Sequence, residues 1–128
     1  MTIPGGFFEA AEMLGKYPEV EVGLHVTLTC EWAGLNWKTL LPQERVSSLV
    51  DVNGNLHPDA SALLANEPDE EEFIAEIAAQ LSRARDAGLN VRYLDEHMAI
   101  GYGLGFRDAV RGFAESEGLM RPNAKSIQ

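Results

Sequence analysis

From Glu19 to Thr29 polar and apolar side chains alternate with period two. Val20, Val22, Leu24, Val26 and Leu28 fall on one side, and Glu19, Glu21, Gly23, His25, Thr27 and Thr29 on the other. Successive side chains of an extended chain point to opposite faces, so the pattern predicts a β-strand with one buried and one polar face. A helix would scatter the same apolar residues around its axis. The strand carries His25 on its polar side, within Val22–Thr29.

The flanking segments predict helices. Phe7, Ala10, Ala11 and Leu14 share one face at spacings of three and four, which predicts a helix over 7–16, with Pro18 beyond its end. Between 69 and 87 the helical pattern is stronger: Phe73, Ile74, Ile77, Ala78 and Leu81 form the apolar stripe. Asp69 is placed to cap that helix, Glu72 to complete a capping box, and Gly88 to stop it in a left-handed conformation. Asn90 to Glu96 reads as a second strand. After the glycine-rich connection Gly101–Gly105, a third helix runs from about Phe106 to Glu117, closed by Gly118.

Between Cys30 and Asn66 the periodicity fails. Trp32, Trp37 and the turn signal Asn53-Gly54-Asn55 separate short apolar patches, and Val46–Val50 is placed to pair with the residues after Gly54 as a small hairpin. A connection this long inside a compact domain is usually functional or carries its own local structure, and it reads as an insertion over a site. The order helix, strand, insertion, helix, strand, helix is that of parallel α/β architecture, in one domain spanning 1–128.

Charge narrows the function classes. The formal net charge is −10 with only 10 Lys and Arg. A phosphate backbone or an anionic bilayer needs clustered cations, so neither nucleic acid nor membrane is an expected partner. No segment has the length of apolar chain that a membrane helix requires. One cysteine, Cys30, makes no internal disulfide, which fits a reducing cytoplasm.

The chemistry-bearing residues gather at the ends of the two strands. By period two Val91, Tyr93, Asp95 and His97 share a face, which puts Asp95 and His97 together at the C-terminal end of the second strand. Sites in parallel α/β folds form beyond those ends, so His25 and His97 are candidates for one shared metal. Neutral imidazoles ligate transition metals, and Asp95 is placed either as a ligand or to orient a ligating ring. Two histidines do not fill a metal site, so Asp95, Glu96 or a further carboxylate would be needed, and a hydrogen-bonded or surface histidine is the alternative for each. His57 reads as a loop residue. The glycines at 101, 103 and 105 lack the spacing of a dinucleotide cradle, and Cys30 has no adjacent base, so neither a cofactor-binding nor a nucleophilic role follows. Trp32 and Trp37 are candidates for stacking on a sugar or for a small core within the insertion.

The histidine segments resemble the YdjC-like carbohydrate deacetylases, which include enzymes acting on chito-oligosaccharides. Val22–Thr29 is similar to the family's first histidine motif and Tyr93–His97 to its Asp-x-His motif. Supporting similarity runs through Ser48–Gly54, Glu76–Gln80 and Leu119–Pro122. The resemblance implies a partial (β/α) barrel related to polysaccharide deacetylases. It implies a divalent metal ion, magnesium or zinc, held in part by His25 and His97, and removal of acetyl groups from N-acetylated sugars. The family's Asp-Asp strand, source of a metal ligand and the base, is expected to precede Thr2–Phe7 and so to lie outside this chain, leaving the catalytic residues unassigned. Many members carry a further histidine where this chain has Met98-Ala99. The chain ends at Ser126–Gln128, about where the second half of a barrel of roughly 250 residues would begin. A half barrel exposes strand edges, so a homo-oligomer is expected, and a non-catalytic metal-binding or interaction domain of the same ancestry is the alternative function.

Overall fold

The computed structural model describes residues 1–121. Its helices are α1 (Phe7–Leu14), α2 (Ala60–Ala65), α3 (Glu70–Asp86), α4 (Ile100–Gly103) and α5 (Arg107–Ser116), and its strands are β1 (Val22–Val26) and β2 (Val91–Glu96). The strands pair in parallel, with Leu24 opposite Leu94, His25 opposite Asp95 and Val26 opposite Glu96. Tyr93 also pairs in parallel with Met120, so the chain returns to the outer edge of β2 after α5. The result is a mixed helix and strand fold around a small parallel sheet. No helix of the described residues is long and apolar enough to cross a membrane. Pro122 and Ser126–Gln128, used above, lie outside the described residues.

Parallel strands need a long crossover, and here it consists of the insertion, α2 and α3. Helix α3 buries Phe73, Ile77, Leu81 and Ala84 against the sheet, with Phe73 meeting Phe106 edge to face at 5.2 Å. Ile74 and Ala78, expected in the stripe, are only half buried; the inner face takes Glu76 and Gln80 instead. Both polar residues are satisfied. Gln80 accepts from the Thr27 backbone N–H at 3.0 Å and donates to the Thr27 carbonyl at 2.8 Å. The Glu76 carboxylate accepts from the Leu40 and Leu41 N–H groups at 2.8 and 3.0 Å. Burial nonetheless outweighs these bonds and raises the Glu76 pKa above its ordinary 4.5.

That clamp corrects the reading of the first strand. Regular pairing stops at Val26, and Thr27 and Thr29, expected on a polar face, are buried along with Leu28. A strand in a small parallel sheet is covered on both sides, so its continuation needs side-chain partners for its backbone, which Gln80 supplies. Val20 is exposed, outside the strand.

Three other expectations shift. Asp69 caps α3 by accepting from Glu72 N–H at 3.0 Å, but Glu72 turns to Ser48, accepting from its N–H and hydroxyl at 3.0 and 2.6 Å. Asp69 N–H donates to the Ser48 hydroxyl at 2.9 Å, so Ser48 stands in for the second half of the box and ties the insertion to the helix. The expected hairpin is a single antiparallel bridge between Val50 and Leu56, preceded by 3-10 turns at Gln43–Arg45 and Ser47–Leu49. Gly101–Gly103 belongs to α4 rather than to a loop. A Cβ on Gly101 would sit 2.2 Å from the Glu96 carboxylate that accepts its N–H, so glycine is required there by close approach.

The Gln80 clamp generates a stability prediction. Gln80→Ala strands a buried N–H and a buried carbonyl on Thr27, and is expected to cost about 2–4 kcal/mol. Urea unfolding followed by circular dichroism checks it, and an unchanged midpoint contradicts the clamp.

Candidate functional site

His25 is the penultimate residue of β1 and Asp95 the penultimate residue of β2, and the parallel register sets them opposite one another. Asp95 Oδ1 lies 2.7 Å from His25 Nδ1. A carboxylate accepts, so the neutral ring carries its proton on Nδ1 and turns the lone pair of Nε2 outward.

His97 lies just past β2 rather than within it. The chain enters a 3-10 turn at His97–Ala99, in which Met98 (φ 57°) and Ala99 (φ 50°) both adopt the left-handed conformation. Residues with a Cβ pay of order 1–3 kcal/mol for such backbone, which persists where the surroundings over-determine it, often at functional sites. The turn seats the His97 ring with its centroid 5.4 Å from that of His25, at an interplanar angle of 74°. Unlike His25, His97 is buried. Its expected place on the strand face is corrected accordingly: the turn after β2, not the strand's period, brings it to His25.

A fourth residue completes the arrangement. Glu31 follows the buried Thr27–Cys30 continuation of β1 and places Oε2 2.8 Å from His97 Nε2. The site therefore holds two carboxylate–imidazole pairs, Asp95 with His25 and Glu31 with His97. In each pair one ring nitrogen is anchored, leaving Nε2 of His25 and Nδ1 of His97 without a hydrogen-bond partner among the described residues. The bond from His97 is the largest influence on Glu31 and lowers its pKa below the ordinary 4.5. Glu31 was not singled out from sequence because its partner lies far along the chain. Its adjacency to the strand's end was the available signal.

The segment after Glu31 closes over the same ring. Trp32 stacks on His97 with centroids 5.9 Å apart and planes 29° from parallel, and meets Trp37 edge to face at 5.3 Å. Trp37 packs against the core, so the pair joins the insertion to the site. Cys30 is buried, its thiol donating to the Leu35 carbonyl at 3.3 Å, while its N–H donates to the His57 carbonyl at 2.9 Å. Both residues thus help shape the loop.

The donor set bears on a divalent ion. Two imidazoles, each anchored through its other nitrogen by a carboxylate, match the way metal-binding histidines are usually oriented. The ring centroids lie 5.4 Å apart, a separation compatible with two imidazoles sharing one ion. Among the described residues, no three His, Cys, Asp or Glu side chains converge as a complete cage. His25 and His97 therefore fit as part of a metal site, with Asp95 holding a ring.

The Glu31 contact predicts a pH dependence. A carboxyl whose pKa is lowered on folding adds stability that is fully present above its unfolded value, here 4.5, and lost as pH falls through its folded value. Glu31→Gln is expected to flatten the decline in unfolding midpoint on acidification below pH 4.5. Equal acid sensitivity of variant and parent would show that the contact does not contribute.

The family model described as YdjC-like protein matches residues 1–127. A carbohydrate deacetylase from Brevibacillus brevis is 33% identical over 92 residues, which is 72% of this chain and 33% of that protein. A crystal structure from Enterococcus faecalis, of a protein proposed to act in cellobiose-phosphate cleavage, superposes with a TM-score of 0.79 at 28% identity, covering 97% of this chain and 46% of that one. The chain thus spans less than half the length of either relative. With the matched model covering both strand ends that carry the histidines, the chain belongs to the YdjC-like family.

Proposed function

We propose that this chain is part of a metal-dependent carbohydrate deacetylase that removes acetyl groups from N-acetylated sugars. The observation that carries the reading is the pair of carboxylate-anchored imidazoles at the C-terminal ends of two parallel strands, in a chain of this family. The name of the Brevibacillus relative supports the reaction class, and the Enterococcus neighbour supports a sugar as substrate.

In this reading His25 Nε2 and His97 Nδ1 would hold a divalent ion, zinc or magnesium. Bound there, the ion would supply Lewis-acid polarisation of the acetamide carbonyl and a more acidic water. The protein's own part is orientation. Asp95 keeps the His25 proton on Nδ1, Glu31 keeps the His97 proton on Nε2, and both rings then face the site as neutral donors. Burial of His97 beneath Trp32 removes bulk water from one side of it. The reading assigns no general base to the described residues. The fold completes as part of a (β/α) barrel in one domain over 1–128, in a cytoplasmic setting consistent with the buried free thiol of Cys30.

Metal analysis of the purified chain after loading with zinc or magnesium is expected to find about one ion per chain, lost in both His25→Ala and His97→Ala. Absence of bound metal under every loading condition rejects the site. Acetate release from an N-acetylated chito-oligosaccharide tests the reaction. Metal binding without acetate release assigns the chain instead to a non-catalytic metal-binding module of the same ancestry.

The same reading includes self-association. Among the described residues the sheet has only β1 and β2 as named strands, and the outer edge of β1 carries no partner strand. Exposed edges favour strand addition, and Met13, Tyr17 and Val20 add exposed apolar surface in the segment leading into β1. Size-exclusion chromatography with light scattering is expected to show a homo-oligomer; a monomer at all concentrations rejects it.

A further inference from the structure

We infer that Trp32 is the sugar-stacking platform of this site and a determinant of its specificity. The inference rests on the reading of the substrate as a sugar, and on three features of the residue itself.

The first is exposure. Trp32 is 48% exposed although it contacts two aromatic rings, whereas Trp37 is mostly taken up by packing against the core. A large apolar side chain left this open on a loop loses hydrophobic stabilisation unless something covers it. The second is position. The indole lies directly on His97, at 5.9 Å and 29°, and His97 lies 5.4 Å from His25. A pyranose ring on the indole face turned away from His97 has the indole between it and the imidazoles, so the ring held there is a neighbour of the one at the imidazole pair.

The third is rigidity. Trp32 sits in a short turn held by Leu35 N–H to the Trp32 carbonyl at 3.2 Å, by the Cys30 thiol to the Leu35 carbonyl, and by the edge contact with Trp37. An aromatic surface fixed before binding loses little conformational entropy when the ligand arrives. Sugar rings present apolar C–H faces between their hydroxyls, and such a face is the natural partner of an open indole. Trp32 would thus hold the sugar ring next to the one that the histidines face, and so set which oligosaccharide is positioned at the site.

The test is isothermal titration of the purified chain with N,N′-diacetylchitobiose, with folding of each variant checked by circular dichroism. Trp32→Ala is expected to weaken binding at least tenfold, Trp32→Phe to retain most of it, and Trp37→Phe to change it less than Trp32→Ala. Near-equal affinity of Trp32→Ala and the parent overturns the platform while leaving the sugar reading intact. Absence of binding by the parent protein at millimolar sugar overturns both. Should Trp32→Ala fail to fold, Trp32→Gln decides: it keeps bulk without a ring, and affinity equal to that of the parent overturns the platform.

Discussion

The parallel register between β1 and β2 is the constraint on which the site depends, because it sets His25 directly opposite Asp95. Neither strand holds this register by itself. A parallel pair requires the chain to cross over, and α3 makes the crossover productive by burying Phe73, Ile77 and Leu81 on the sheet while Gln80 grips the backbone of Thr27 just past β1. The polar face of α3 that reaches into the core is therefore part of the mechanism of alignment. Glu76 extends the grip to Leu40 and Leu41, so one helix fixes both the strand's end and the insertion that follows it.

From that alignment the two strands deliver equivalent chemistry by different routes. On β1 the histidine comes first and a carboxylate, Glu31, follows after the buried continuation. On β2 the carboxylate, Asp95, comes first and the histidine follows in a left-handed turn. Each histidine then pairs with the carboxylate of the other strand's path. In this crossed pairing a shift of either segment would break one carboxylate–imidazole hydrogen bond and misdirect one ring. Glu96, next to Asp95, is bound by Arg121 and accepts from Gly101 N–H, which anchors the turn after His97 from its other side.

Much of this was legible in the chain. The period-two run announced β1, the Asp69 cap and acidic first turn announced α3, and the run Asn90–Glu96 announced β2. Glu31 and the role of Gln80 were not, because each acts on a residue 53 or more positions away, and Trp32, a stacking candidate from sequence, could not be tied to His97, whose ring is placed only by a strained turn. The short helices α2 and α4 were missed for a different reason. They are too brief to show helical periodicity and are held by tertiary packing.

By itself the sequence determined that β1, β2 and the helices α1, α3 and α5 exist, and that two histidines and an aspartate stand at or near strand ends, since local periodicity and capping depend on neighbours along the chain. Only the tertiary structure decided that the two faces of β1's continuation are both buried, that each imidazole is anchored by a carboxylate, and that an indole lies open beside them. Those outcomes depend on strand register and on a turn with two non-glycine residues at positive φ, which arise from packing across the fold.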